Sequence, residues 1–296
     1  MNNMTNEFEQ QDNAPSHVAE IAGAPLDGNT EDIIALNFAE EQKYKLRYCN
    51  DTGGWFWWNG TIWEREKTNL AFDEARKKCR EYNVQGQATL AKASTAAAVE
   101  KYAKADRRMS VTSDIWDRDP MKLGTPGETV DLRSGDCTHP DPFDYITRTT
   151  SIAPSDGCYP QAWYKFLKDI TQGDHDLQCY LQRVFGYCLT GMTIEHALFF
   201  FIGAGGNGKS VFLNVLTEIL GTYAVTAAME TFTATRNEQH STHIAMLQGA
   251  RLVTASETEE GGRWAESRIK SMTGGDPLTA RYMRQDFFTF IPQFKP

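Results

Sequence analysis

The chain has 296 residues, of which 41% are hydrophobic and 11% aromatic, and this predicts a globular protein of about two domains and excludes a disordered chain. Its net charge of −9 arises in residues 1–42, which hold nine acidic side chains and no lysine or arginine. Residues 43–296 carry 30 acidic and 30 basic side chains, so the acidic balance does not exclude a nucleic-acid partner.

The apolar runs and the cysteines of the sequence indicate the cellular compartment. The longest apolar run, Ala197–Ile202, is too short to cross a membrane, and the amino-terminal residues lack the basic and apolar regions of a signal peptide. Six dispersed cysteines without a CxxC pair indicate free thiols in a reducing compartment. We therefore expect a cytoplasmic protein with no membrane partner.

The chain begins with residues 1–28, whose asparagine-, glutamine- and acid-rich composition predicts a disordered acidic leader. A helix is expected over Glu31–Lys45. Asn59-Gly60 separates two aromatic runs within Trp55–Trp63, which is a strong hairpin pattern. We favour the core of a small sheet for these four tryptophans, and the alternative is a platform on which nucleic-acid bases stack.

The middle of the chain favours helices, with a strand and turn over Thr129–Asp136. Leu177, Leu181, Val184, Phe185 and Cys188 recur at helical spacing, and we interpret this stripe as core. Together, residues 29–190 predict a small α+β domain. The expected helices are Leu70–Tyr82, Ala88–Ala105, Tyr159–Thr171 and Asp174–Thr190.

Residues 191–296 have the pattern of an α/β domain. Ala197–Ile202 is a continuous apolar run, as expected for a central strand that is covered on both faces. A glycine-rich turn and a helical pattern over Val211–Leu220 follow, and Arg251–Ser256 predicts another buried strand. This order of strand, loop, helix and strand is typical of an α/β fold.

Residues 203–210 match the phosphate-loop pattern GxxxxGK[ST] completely. A loop that wraps a phosphate with its backbone N–H groups needs unusual backbone angles, which glycines supply. Lys209 would reach the β- and γ-phosphates, and Ser210 would offer its hydroxyl to Mg²⁺. We therefore predict ATP and Mg²⁺ as ligands. The predicted nucleotide-binding residues are Gly203, Ala204, Gly205, Gly206, Asn207, Gly208, Lys209 and Ser210.

Hydrolysis also requires a carboxylate at the end of a neighbouring strand. Glu257 follows Arg251–Ser256 directly and is the first candidate, as a catalytic residue and as a metal ligand with Ser210. Glu259 is the second candidate. The alternative is that this acidic cluster caps the helix after Gly262.

Several ordered motifs resemble the superfamily 3 helicases that are fused to primases in phages, plasmids and large DNA viruses. The resemblance covers roughly residues 45–295. The motor motifs are GAGGNGKS at 203–210, GARLVTASETEEG at 249–261, KSMTGGDPLTARY at 270–282 and FFTFIPQFK at 287–295. The motifs ahead of the motor are WFWWNGTIWERE at 55–66, TVDLRSGD at 129–136 and YLQRVFGYCLTG at 180–191.

This resemblance implies an α/β P-loop NTPase core of AAA+-like type, preceded by a smaller α+β helicase-associated domain. It also implies a homo-oligomeric ring, usually hexameric, that moves on single-stranded DNA with other replication partners. Lys270, Arg281 and Arg284 are the expected DNA contacts, in a β-rich stretch over Leu278–Ile291 or beside it. The alternative is that these are solvated charges on a sheet edge.

Two departures from the family pattern affect the expected function. The chain stops at Pro296, ahead of the family's polar sensor residue and the arginine that reaches a neighbouring subunit, which implies a motor truncated at its carboxyl end. It also has no room for the primase catalytic domain. Besides a DNA helicase motor, two functions therefore stay open: a module that binds ATP without hydrolysing it, and a P-loop ATPase that acts on something other than DNA.

Overall fold

The structure is a computed structural model that describes residues 28–155, 157, 159–234, 242–256, 263–283 and 286–296. The predicted acidic leader lies outside these residues apart from Gly28. No helix within the described ranges is long and apolar enough to cross a membrane.

The amino-terminal part joins three helices to a four-stranded sheet. The sheet order is β3-β2-β1-β4, with β1 antiparallel to β2 and parallel to β4. Ile34, Phe38, Ala75 and Val99 from the three helices form one buried core with Trp55 of the sheet. The elements are α1 Glu31–Gln42, β1 Leu46–Cys49, β2 Gly54–Trp58, β3 Trp63–Arg65, α2 Leu70–Tyr82, α3 Ala93–Ala105 and β4 Ser110–Val111.

The tryptophan cluster is built around the predicted hairpin. Asn59 accepts hydrogen bonds from the backbone N–H groups of Thr61 (2.8 Å) and Ile62 (2.9 Å), which fixes the turn between β2 and β3. Trp63 is 1% exposed, and its indole N–H donates to the Pro142 carbonyl at 2.8 Å. Together with the buried Trp55, this confirms the predicted core role for two of the four tryptophans, whereas Trp57 and Trp58 are half-buried.

A second, antiparallel sheet and a helix pair follow. The sheet order is β5-β6-β7. The predicted core stripe of the second helix is confirmed at Leu181, Val184 and Cys188, which are buried, whereas Leu177 is 42% exposed. The elements are β5 Lys122–Thr125, β6 Glu128–Asp131, β7 Cys137–Thr138, α4 Gln161–Ile170 and α5 His175–Leu189.

The remaining residues alternate helices and short strands around two further cores. Phe212, Leu216 and Leu220 bury one face of α6 in a core that also holds residues of α5, and the parallel pair β8–β9 places Val225 opposite Val253. Strands β10 and β11 form an antiparallel hairpin, as predicted for this stretch. The elements are α6 Lys209–Leu220, β8 Ala224–Thr226, α7 Thr242–Ala245, β9 Leu252–Thr254, α8 Glu266–Gly274, β10 Leu278–Ala280 and β11 Phe288–Phe290.

One predicted strand is wrong. Ala197–Ile202 lies in irregular chain, although Phe199 donates its backbone N–H to the Pro296 carbonyl at 3.1 Å. Pro296 follows Lys295, which bridges to Leu252 of β9 in parallel. Residues 198–202 and 252–256 line a common cavity of about 340 Å³, and no strand is present along the described apolar run. The fold is therefore mixed α/β with several small sheets.

A buried guanidinium connects the strand β9 region to the end of helix α5 and to strand β5. Arg251 is 1% exposed and donates to the carbonyls of Leu189 and Lys122. Its guanidinium lies 4.4 Å from the centre of the Tyr223 ring. Asp117 is buried nearby, and burial raises the pKa of this carboxyl against the opposing pull of Thr147 and the two arginines Arg148 and Arg251.

Lys295 makes the stability of this region depend on pH. Its ammonium is buried, donates to the Thr190 carbonyl, and lies 4.5 Å from the centre of the Tyr187 ring. Burial, assisted by the charge of Arg251, lowers the pKa of Lys295 to about 7, although Cys188 opposes this shift.

We therefore expect stability to rise with pH. Between pH 7 and 10.5 the unfolded chain binds a proton at Lys295 that the folded chain lacks, so the free energy of unfolding increases across this window, by up to about 4–5 kcal/mol. Urea denaturation of the parent and of Lys295→Met at pH 6.5, 8 and 9.5 measures it. An equal pH dependence in both proteins would contradict this assignment.

Candidate functional site

The glycine-rich loop, residues 203–210, leads directly into helix α6. The helix begins at Lys209, and Gly208 precedes it with a φ of +84°. Gly206 also has a positive φ, +74°. Positive φ values at these positions turn the chain sharply, and the amino-terminal end of a helix favours negative charge because its first N–H groups lack helical partners.

Close packing against α4 is a second reason, besides the positive φ, why position 208 requires glycine. A Cβ atom built at this position would collide with Ile170 and come within 3.3 Å of Phe166, both on α4. The loop is therefore packed closely against the end of α4, and α4 fixes where helix α6 starts.

Lys209 lies across the loop. Its ammonium donates to the Gly203 carbonyl at 2.8 Å, the Ala204 carbonyl at 3.2 Å and the Asn207 side-chain oxygen at 2.7 Å. Only oxygen acceptors of the loop itself satisfy this charge among the described contacts. Phosphate oxygens would be stronger acceptors than these neutral groups, because they carry negative charge and attract the ammonium electrostatically as well.

Two cavities border Lys209, one on each side of residues 198–202. The first has a volume of about 320 Å³ and reaches α4 and α5. The second, of about 340 Å³, also borders Ser210 and runs to Thr254–Ser256 at the end of β9. Ser210, the predicted magnesium ligand, is exposed on the first turn of α6. Ser210, Lys209 and the end of β9 all line the second cavity.

The two predicted acidic residues follow the end of β9 in the sequence. Glu257 and Glu259 lie outside the described residues, and Ser256, which directly precedes Glu257, lines the second cavity. A serine and a carboxylate supply oxygen ligands, which suit Mg²⁺. The predicted roles of Glu257 and Glu259 stay predictions.

The three predicted DNA contacts lie in and around the β10–β11 hairpin. Lys270 is exposed on α8, and Arg281 is exposed directly after β10, with its guanidinium 4.7 Å from the centre of the Phe287 ring. Arg284 lies outside the described residues. Phe287 is 61% exposed, and the sequence places it in the motif FFTFIPQFK without indicating this contact with Arg281.

Sequence reasoning also missed the wall that α4 and α5 form beside the loop. Leu177 and Tyr180, 42% and 51% exposed, line the first cavity together with Asn207 of the loop. Their helical spacing with Leu181 is the same signal that indicates a core stripe. Helical spacing alone therefore does not distinguish a stripe that packs in a core from one that lines a cavity.

Comparisons with known proteins match two parts of the chain. Residues 35–172 match the family described as D5 N terminal like. Residues 201–295, which include the whole loop, match a family of unknown function, DUF5906. The chain is also 31% identical over 133 residues to a protein of Acanthamoeba polyphaga mimivirus named "Putative helicase". That match covers 44% of this chain and 14% of the mimivirus protein.

Proposed function

We propose that this chain is the ATP-dependent DNA helicase motor region of a replication protein of the phage and large-DNA-virus primase-helicase type, which the match of residues 35–172 to the D5 N terminal like family and the similarity to a mimivirus protein named as a helicase support. The observation that carries the proposal is the complete GxxxxGKS loop at the start of α6, whose lysine ammonium lies across the loop between two cavities. The finer assignment of a P-loop NTPase core of AAA+-like type is part of this proposal.

The loop residues divide the work of holding a triphosphate. Backbone N–H groups of residues 203–210 face the phosphates, and Lys209 exchanges its loop acceptors for β- and γ-phosphate oxygens. Ser210 and Glu257 would hold Mg²⁺, which supplies charge neutralisation on the phosphates. Glu257, with Glu259 as the second candidate, orients and activates the attacking water.

The nucleic-acid partner is single-stranded DNA. Lys270, Arg281 and Arg284 give contacts to phosphates without sequence preference, and such binding weakens as salt rises. A homo-oligomeric ring would surround the strand with one hairpin per subunit. The exposure of Lys270 and Arg281 supports this proposal.

The test is steady-state ATP hydrolysis with and without single-stranded DNA. We expect DNA to raise the rate, and Glu257→Gln to lower it about 100-fold or more with ATP binding retained, because a positioned base contributes about 10²–10⁴-fold. Glu218→Gln, which changes an exposed carboxylate on the far part of α6, is the matched control.

Other outcomes assign the alternatives. ATP binding without turnover would replace the helicase proposal with an assembly module. Hydrolysis that ignores DNA would replace it with an ATPase that acts on another target. Unchanged turnover in Glu257→Gln would remove Glu257 from the reaction.

A further inference from the structure

The first cavity beside the loop has one charged end and one apolar end. Asn207 and Lys209 border it on the loop side, and Ile170, Leu177 and Tyr180 border it on the side of α4 and α5. Its volume of about 320 Å³ lies within the range of small-molecule sites, about 300–1,000 Å³. A ligand that fits it therefore combines an anionic part with an apolar part.

The α5 wall presents apolar groups to this space from one helix face. Leu177, Tyr180, Leu181 and Val184 follow the i, i+3, i+4, i+7 spacing, and all four line the cavity. Leu181 and Val184 are buried, whereas Tyr180 is 51% exposed. A flat aromatic ring thus lies at the open part of the cavity, with aliphatic side chains behind it.

Thr171 is the polar side chain of this wall, and its hydroxyl is already engaged. It donates to the Leu167 carbonyl at 2.7 Å and accepts from the Gln178 amide at 2.9 Å. The wall therefore offers contact area and an aromatic face more than hydrogen bonds. This suits a planar ring system, which gains from stacking on tyrosine.

We infer that this cavity holds the base and ribose of the nucleoside triphosphate, with Tyr180 stacked on the base. The inference rests on the proposed function, because the phosphates at Lys209 place the nucleoside. It assigns to the α4–α5 pair the role of distinguishing a nucleotide from a bare polyphosphate. Tyr180 and Leu177 contact the ligand directly and are therefore binding residues.

The test compares two ligands in equilibrium titrations with Mg²⁺, ATP and inorganic tripolyphosphate, which lacks a base. Tyr180→Ala should weaken ATP binding about fivefold or more and leave tripolyphosphate binding unchanged, because base stacking is lost. Tyr180→Phe, which keeps the ring, should restore ATP binding. Leu177→Ala should act in the same direction, since the exposed Leu177 has little role in the core.

Tyr164→Ala is the matched control, because Tyr164 is 48% exposed on α4, stacks on Tyr159 and lies outside the cavity lining. Equal ATP affinity in Tyr180→Ala and the parent would overturn the base site while the phosphate loop stands. Equal weakening of both ligands would also overturn it. If the parent binds neither ligand, the proposed function itself fails.

Discussion

Replacing Lys209 with methionine should weaken binding of ATP-Mg²⁺ about 100-fold or more. The ammonium lies 2.7–3.2 Å from three oxygen acceptors of the loop. It is therefore within reach of phosphate oxygens bound at the loop. Two hydrogen bonds from a charged group to phosphate, at about 1.5–3 kcal/mol each, account for a loss of this size. Isothermal titration calorimetry of both proteins measures it.

The control for this variant is Lys101→Met, which removes an exposed lysine on α3. It should bind ATP-Mg²⁺ like the parent. The melting temperature of ligand-free Lys209→Met should stay close to that of the parent, because the hydrogen bonds that Lys209 makes within the described residues all go to the loop. Equal ATP affinity in Lys209→Met and Lys101→Met would show that the loop does not bind phosphate through this lysine.

Replacing Arg251 with alanine should lower the free energy of unfolding by about 3–5 kcal/mol. The substitution removes two charged hydrogen bonds and leaves the partly buried carbonyls of Leu189 and Lys122 without this donor. It also removes the cation that faces the Tyr223 ring and one of the two charges that favour ionised Asp117. Urea denaturation at pH 8 measures the change.

Arg133→Ala is the comparison for Arg251→Ala. Arg133 forms an ion pair with Asp119 at 2.8 Å, but its side chain is 52% exposed, so its removal should cost about 0–1 kcal/mol. If the two variants lose the same stability, the buried guanidinium does not hold β9 against α5 and β5.

Local chemistry made most helices and turns predictable. Helix α2 has the predicted bounds, Leu70–Tyr82, and Asp174 caps α5 by accepting from Leu177 N–H at 3.0 Å. The Asn59-Gly60 turn is likewise fixed by hydrogen bonds within four residues. These signals need no knowledge of distant chain.

Features that depend on distant partners were harder to predict. Ala197–Ile202 has a strand-like composition, but a strand also needs neighbours, and only its Phe199 bonds to Pro296 across the described residues. The loop was predicted because its motif is contiguous. The cavity wall at Tyr180 was not, since a stripe that lines a cavity has the same spacing as one that fills a core.

The central claim, that residues 203–210 bind a nucleoside triphosphate, is tested most directly by titrating the unaltered chain with ATP in the presence of Mg²⁺. The account predicts saturable binding at one site per chain, displaced by inorganic tripolyphosphate. Heat or fluorescence changes that never saturate, or binding that tripolyphosphate leaves untouched, would contradict it.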